Sequence, residues 1–431
     1  MHQLAAETVS SFQGLPLSQT LPPVYVPETA CRSCRNKELV SLISLGSTPL
    51  ANSLLRRDQL EQPEAVFPLE LAMCPHCSLV QIKQTVPPQL LFTNYLYFTS
   101  FSDTMLAHAE ELSNEMIASR CLGSHSLVVE IASNDGYLLQ YYDRKGIPVL
   151  GIEPAQNVAK VAQEKGVRTL TKYFSCELAE ELVRSGMQAD VIHANNVLAH
   201  VADLHGMVEG IHVLLKPNGV ALIEVPYLKD MIDGTEFDTI YHEHLCYYSL
   251  TALDKLFRAH NLYIVDVIRL PLHGGSLHLT LSKVDNPRQS VANLLISERE
   301  WGVNNLDFYH DFSKRVESLG RRLRDLMQTI KSDGKSIAAY GASAKGSTLL
   351  NCFKIDHNFL DFIVDRSTWK QGFYSPGTHL EISDPKRLLI DKPDYVLLLT
   401  WNFADEIMKQ QAEYMNGGGK FIIPIPRLRI I

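Results

Sequence analysis

The sequence predicts an α/β fold: two doubly wound, Rossmann-like sheet units behind a small cysteine-stapled module. Three observations carry this reading. Short apolar runs of strand length (126–131, 149–152, 190–194 and 220–225) alternate with helix-compatible segments, the pattern of a parallel sheet with crossover helices. A second block of the same kind follows at 336–340, 360–364, 395–399 and 420–423. Ahead of both stand two paired cysteines, Cys31-x-x-Cys34 and Cys74-x-x-Cys77. The length of 431 residues agrees, because ordinary domains hold roughly 100 to 200 residues and one core cannot serve this chain.

Taken from the N-terminus, residues 1–28 are polar, proline-containing and aperiodic, which predicts a flexible arm. The cysteine pairs, with strand-like pieces at 39–45 and 67–73, define a module over 29–88. Each CxxC turn can present two thiolates to one tetrahedral Zn2+, and without a signal-peptide core ahead of it the pattern reads as metal rather than disulfide. Four sulfur ligands leave no open coordination position, so a zinc held by Cys31, Cys34, Cys74 and Cys77 is a structural staple. Residues 90–100 are unusually aromatic for a connector, Tyr95 and Tyr97 among them, and suit a pocket lining better than an exposed linker. A helix is predicted over 103–119, and the first α/β unit over 89–300. A long helix-compatible segment, 289–331, leads into the second unit, 301–431.

Composition excludes several classes of function. A formal charge of −8 with no dense Lys/Arg run argues against a nucleic-acid polymer as ligand, while leaving room for a single nucleotide. No apolar stretch approaches the roughly 20 residues of a membrane span. The expectation is a cytoplasmic enzyme, a monomer or weak homo-oligomer, with no membrane partner.

The first sheet strand runs into Glu130-Ile131-Ala132-Ser133-Asn134-Asp135-Gly136. A strand that enters a small-residue turn and then a helix lets backbone amides approach a ligand at the carboxyl edge of a sheet. The turn lacks GxGxxG, and its acidic flanks suit a cofactor carrying a sulfonium and an amine better than a pyrophosphate. The next strand ends in Glu153, where a carboxylate can take both ribose hydroxyls. Together these point to S-adenosylmethionine, with Glu130, Ser133, Asn134, Asp135, Gly136 and Glu153 around it. The strand at 190–194 would bring Asn195 or Asn196 and His200 to the same edge, although His200 alone reads equally well as a helix-side histidine.

Tyr241-His242-Glu243-His244 places four proton-handling or hydrogen-bonding side chains in a row. Imidazole titrates nearest neutrality, and a neighbouring carboxylate or phenol can set its tautomer. By itself the tetrapeptide also fits a polar surface loop. A metal site is disfavoured, because adjacent residues rarely chelate one ion and HExxH spacing is absent. Tyr340-Gly341-Ala342-Ser343-Ala344-Lys345-Gly346 repeats the strand-turn-helix pattern, and its amides with Ser343 and Lys345 could cradle a pyrophosphate, although the loop is not a Walker motif and also reads as a plain turn with a solvated lysine. Lys370 lies in a Gly/Pro-containing stretch suited to close over such a ligand, and His273-Gly274-Gly275-Ser276 looks like a further binding loop.

With these motifs assembled, the chain resembles the sugar C-methyltransferases of deoxysugar biosynthesis, over roughly residues 29–431. The resemblance rests on the four cysteines, Leu45-Gly46-x-x-Pro49-Leu50-Ala51-Asn52, Tyr95-x-Tyr97-x-x-Ser100, the Glu130 turn, the Tyr241 run, His273 to Ser276 and Gly341 to Gly346. Ala132 stands where many relatives have glycine. The resemblance implies a zinc module, a class I S-adenosylmethionine methyltransferase domain, and a Rossmann-like C-terminal domain that helps hold a nucleotide sugar. It further implies a dTDP-linked 4-keto-6-deoxysugar acceptor, methylated beside the ketone. His244 matches the proposed base, with Glu243, Tyr241, His200 and one of Tyr95 or Tyr97 around it.

The chemistry fits these residues. Carbon becomes nucleophilic only when a proton α to a carbonyl is removed, which requires a base near pH 7 and a donor for the enolate oxygen. If the run is extended, His242 and His244 share one face and Tyr241 and Glu243 the other, unless the chain turns there. A 4-ketoreductase would need a better dinucleotide fingerprint than Gly341-x-x-x-x-Gly346. A non-catalytic zinc protein that binds sugar nucleotides leaves the histidines unexplained.

Overall fold

The computed structural model describes residues 25–92 and 97–431. Its N-terminal module contains β1 (Val26–Pro27), β2 (Val40–Pro49), β3 (Val66–Met73), β4 (Val80–Ile82) and β5 (Gln84–Thr85). Strands β2, β3 and β4 pair antiparallel, and β1 pairs with β5. The arm expected through residue 28 is therefore fixed at its last residues. Arg32 explains this: buried beneath them, it donates to Glu28, Thr85 and the Gln84 carbonyl at 3.2, 2.8 and 3.3 Å. A buried guanidinium needs its donors satisfied, and the β1 and β5 residues satisfy them.

The short helix α1 (Pro88–Phe92) and α2 (Asp103–Arg120) lead to the first large sheet. Ser102 caps α2 by accepting from the Met105 amide. Then follow β6 (Val128–Ile131), α3 (Leu139–Asp143), β7 (Val149–Ile152), α4 (Gln156–Glu164), β8 (Thr169–Leu170), α5 (Cys176–Arg184), β9 (Ala189–Asn195), α6 (Leu204–Leu214), β10 (Leu215–Pro226), α7 (Leu228–Asp233), β11 (Cys246–Tyr247), α8 (Leu250–Arg258), β12 (Tyr263–Leu270) and β13 (Ser276–Ser282). The strand order is β12-β13-β10-β9-β6-β7-β8. The order reverses at β6, which lies between β7 and β9, so ligands are expected beyond its carboxyl end.

One expectation changes: the sheet is mixed, because β13 runs antiparallel between β10 and β12. Residues 273–276, the expected binding loop, form the tip of that hairpin, and the Ser276 hydroxyl closes it on the Leu272 carbonyl at 3.1 Å. Strand β11 leaves this sheet altogether and joins the zinc-module sheet beside β4.

The segment 289–331 divides into α9 (Gln289–Trp301) and α10 (Phe312–Ser332), broken where Gly302 takes the left-handed conformation at φ 75°. Helix α9 stays with the first sheet. Its fully buried Glu298 accepts from the amides of Leu250 and Thr251 at 2.7 and 2.8 Å and from the Tyr227 hydroxyl at 2.9 Å. A carboxylate on the first amides of α8 satisfies donors that a helix leaves open.

The C-terminal unit comprises β14 (Ile337–Tyr340), α11 (Ala344–Phe353), β15 (Ile363–Val364), β16 (Ile382–Ser383), β17 (Tyr395–Leu398), β18 (Lys420–Ile423) and β19 (Arg429–Ile430). Its order is β16-β15-β14-β17-β18-β19, parallel except for the last pair. Again the switch point lies at the first strand, β14. Among the described residues no helix is long and apolar enough to cross a membrane.

Candidate active site

In the N-terminal module the four cysteine sulfurs lie within 4.8 Å of one another, with Cys31 to Cys77 at 3.3 Å and Cys34 to Cys74 at 3.5 Å. Both knuckles turn alike. Arg35 and Ser78, each next after a second cysteine, take φ of 61° and 66° and donate their amides to the carbonyls of Cys31 and Cys74. As free thiols the set is poorly served: burial pushes Cys74 up to about 11, and the Cys31 contact pushes Cys77 higher still. A divalent cation would convert crowded thiols into ligands, so the donor set fits tetrahedral zinc.

At the end of β6 the turn is wound tightly, with Ala132, Asn134 and Gly136 at φ 54°, 49° and 76°. Gly151 on β7 leaves space for the Ser133 hydroxyl, which a side chain there would strike. Glu153 accepts from the amides of Asn134 and Ala155 at 2.9 and 2.8 Å, and burial raises its pKa to about 7 against those bonds. Asn134 spends its side chain on the connector, accepting from the Thr99 amide at 2.9 Å and donating to the Tyr97 carbonyl at 3.0 Å. Asp135 takes Lys165 at 3.0 Å and the Ser100 hydroxyl. These two residues strap segment 97–100 over the turn.

Five buried polar atoms at this edge have no hydrogen-bond partner among the described residues: Glu130 Oε2, Ser133 Oγ, Asp135 Oδ1, Asn195 Oδ1 and Asn196 Oδ1. The Asp135, Asn195 and Asn196 oxygens among them are acceptors, and Glu130 joins them when a cationic ligand draws it into the ionised form that burial opposes. A ligand rich in donors, with an ammonium, a ribose and an adenine amine, matches them, and S-adenosylmethionine has all three. Two residues missed in the sequence support this edge. Glu224, at the end of β10, takes the Asn196 side chain at 3.0 Å and His108 of α2 at 2.8 Å. Burial pulls the His108 pKa down, but the Glu224 contact outweighs it and the net shift is upward.

Residues 241–244 turn rather than extend. The His244 amide donates to the Tyr241 carbonyl at 2.9 Å, which brings the two rings together at 4.1 Å between centroids. Alternate-face placement is therefore replaced by a facing Tyr241/His244 pair. The Nδ1 of His244 lies 2.9 Å from the Thr239 carbonyl. A carbonyl only accepts, so Nδ1 carries the proton and Nε2 holds the lone pair, which receives the Tyr241 hydroxyl at 2.8 Å. His200, in the turn after β9, sits edge-on to His244 at 4.7 Å, and burial lowers its pKa to about 4, so it is neutral at pH 7.

The other two members of the run face the zinc module. His242 donates from Nε2 to the Pro68 carbonyl at 3.0 Å and packs on Phe67. Glu243 accepts from Asn52 at 2.7 Å; burial raises its pKa to about 7, opposed by Asn52 and by the charge of Lys370. The chain then continues as β11, paired with β4. Asn52 was quoted within a motif, but its partner 191 residues away leaves no trace in the sequence.

The remaining predicted residues are distributed around this centre. Lys370 is buried and donates to the Ala342 carbonyl at 2.8 Å. Ser343 caps α11 through the Gly346 amide at 3.0 Å, which uses its hydroxyl locally. Lys345 stands 4.7 Å over the Trp401 ring, and its charge lowers the pKa values of Glu236 and Asp238, which burial raises to about 8 and 6. Trp401 donates to Asp238 at 2.7 Å, next to the Thr239 that orients His244. Gly274 and Gly275, at φ 99° and 135°, rest on the carboxylates of Glu236 and Asp230, where any side chain would collide. Tyr97 is part-exposed beside the turn of β6. Tyr95 and the His273 side chain lie outside the described residues.

Comparison with known proteins agrees with this division. Family models match a candidate zinc binding domain at 31–92, a methyltransferase domain at 108–267 and a C-methyltransferase C-terminal domain at 271–426. The C-methyltransferase NovU of Streptomyces niveus is 36% identical over 408 residues, which cover 94% of this chain and 97% of that protein. A ubiquinone biosynthesis O-methyltransferase of Azorhizobium caulinodans is 31% identical over 100 residues, covering 22% of this chain and 38% of its own. Among solved structures, the magnesium protoporphyrin IX methyltransferase of Synechocystis with bound SAM is 13% identical, covers 41% of this chain and 78% of itself, and superposes with a TM-score of 0.32. So loose a superposition adds nothing to the strand order already described.

Proposed function

Because this chain belongs to the family of S-adenosylmethionine-dependent C-methyltransferases, we propose that its acceptor is a nucleotide-linked 4-keto-deoxysugar, dTDP-linked by resemblance, methylated on the carbon beside the ketone. The observation that carries the reading is the wiring of His244. Its Nδ1–H is held by the Thr239 carbonyl, so the lone pair is committed to Nε2. A neutral imidazole with a fixed tautomer is what proton abstraction near pH 7 requires.

In this reading His244 Nε2 takes the α-proton, and the C–H electron pair moves into the enolate. For this the keto sugar must first draw the Tyr241 hydroxyl off Nε2 and onto its ketone oxygen, which bares the lone pair for the α-proton. The same hydroxyl then stays hydrogen-bonded to that oxygen as it becomes an enolate. Neutral His200 stands edge-on to His244 beside the keto sugar, and the resemblance assigns one tyrosine, Tyr95 or Tyr97, to the same substrate. Glu130, Asn195, Asn196 and Glu153 hold the donor groups of S-adenosylmethionine, which supplies an electrophilic methyl group when bound. Ser343, Lys345 and Lys370 serve the nucleotide side of the substrate, in a cytoplasmic setting. The test is incubation of the purified protein with methyl-labelled S-adenosylmethionine and a panel of nucleotide 4-keto sugars. Label is expected on the carbon next to the ketone of at least one sugar. Label on oxygen or nitrogen, or transfer only to substrates without a ketone, contradicts the reading.

A further inference from the structure

Glu243 lies where three parts of the chain meet. Its Oε1 accepts from Asn52 of the zinc module at 2.7 Å. Lys370 of the C-terminal domain contributes a charge that favours its ionised form. Its Oε2 is buried and has no partner among the described residues. Asn52 is itself rigidly delivered. It follows β2 on a turn whose Leu50 and Ala51 are buried, and the Ser53 amide closes that turn on the Leu50 carbonyl at 3.1 Å. Three residues later Leu55 exchanges both backbone hydrogen bonds with Tyr374 of the C-terminal domain, at 2.9 and 2.8 Å. The Asn52 amide is thus clamped between two domains, with its NH2 end fixed on a carboxylate of the third.

We propose that Asn52 is a positioning residue for methyl transfer: by holding Oε1 of Glu243 it fixes the carboxylate so that Oε2 addresses the acceptor. This rests on the assignment of residues 241–244 to the reaction. It gives the zinc module a part in the chemistry that a staple alone would not have. Without Asn52 the carboxylate can rotate, and its ionised form loses its direct hydrogen bond while burial continues to oppose the charge. The other groups facing Glu243 are Lys370 by charge and His200 at its main chain, with Tyr241, His242 and His244 in the same run; the Asn52 variants leave them all in place.

The experiment compares Asn52→Asp, which keeps size and packing, with Asn52→Ala and Glu243→Gln in the zinc-loaded full chain. The readouts are kcat, KM for the nucleotide sugar, S-adenosylmethionine affinity and the pH profile. Both Asn52 variants are expected to lower kcat roughly 10- to 100-fold while cofactor affinity stays within roughly threefold. The pH limb that disappears in Glu243→Gln moves to higher pH, furthest in Asn52→Asp, where a second carboxylate opposes ionisation. In the Glu243→Gln background Asn52→Ala has little further effect. An Asn52→Asp enzyme with wild-type kcat and an unmoved limb overturns the inference. So does an Asn52→Ala loss that only parallels a loss of thermal stability and cofactor affinity. If Glu243→Gln is inactive while Asn52→Asp is normal, the inference alone fails. If Glu243→Gln turns over like wild type, the assignment of Glu243 fails and takes the inference with it.

Discussion

The Tyr241 hydroxyl donates to Nε2 of His244 across 2.8 Å, a contact made by a turn that folds residue 244 back over residue 241. The lone pair that the proposed reaction needs is therefore occupied at rest by the group suited to receive the enolate. His244→Asn is expected to lower turnover roughly 100- to 10,000-fold. Tyr241→Phe, which removes the hydroxyl but keeps the ring, costs roughly 10- to 100-fold in kcat with a smaller change in KM. Steady-state kinetics with cofactor titration checks both. A Tyr241→Phe effect confined to KM would assign the hydroxyl to ground-state binding.

His108 and Glu224 predict a pH dependence of stability. The folded pKa of His108 is raised, so its contribution is fully present below the unfolded value of about 6.5 and is lost as pH rises through the folded value. Melting temperatures measured from about pH 6 to pH 9 should fall more steeply in wild type than in His108→Gln, which keeps a donor but no charge. Parallel curves would remove His108 from the account.

Ala132 holds φ 54° at the first bend of the cofactor turn, a left-handed conformation that costs a residue with a Cβ roughly 1 kcal/mol or more. Ala132→Gly should raise the melting temperature by about 2–4 °C without weakening S-adenosylmethionine binding. Ala132→Val should lower both. Calorimetry and ligand titration decide. A less stable glycine variant would mean that the bend is not strained.

Removal of the metal should be felt at the reaction centre. Ile82 donates to the Leu245 carbonyl at 3.0 Å, and β4 pairs with β11, so the zinc-module sheet includes the strand that follows His244. In chelated protein, hydrogen exchange is expected to accelerate in peptides covering 241–247 and to change little over 126–153. Equal acceleration in both, or in neither, would detach the module from the site.

The parts that were legible in the sequence share a local cause. Apolar runs such as Val149–Ile152 declare buried parallel strands, and the CxxC spacing declares its ligand because four sulfurs have few other uses. The β12–β13 hairpin had a signal as well. Leu277, Leu279 and Leu281 alternate with His278 and Thr280 in the period-two pattern of a strand, and here His278 is buried as well and only Thr280 is half-buried. Bends inside the 241–244 run, and the partners Asn52, Thr239 and Glu224, could not be read, because each depends on where a distant or turned segment lands. His242 belongs to the same run, yet its partners are the Pro68 carbonyl and the Phe67 ring, which the fold brings beside it from the zinc module.

The central claim is that His244 opens a C–H bond beside a ketone, and solvent exchange tests it most directly. A nucleotide 4-keto sugar that wild type methylates is incubated in deuterated water with S-adenosylhomocysteine, and deuterium at the α-carbon is followed by mass spectrometry. Wild type is expected to incorporate deuterium, while His244→Asn, shown by titration to bind both ligands, does not. Exchange by His244→Asn at the wild-type rate would contradict the assignment and place the base elsewhere in the site.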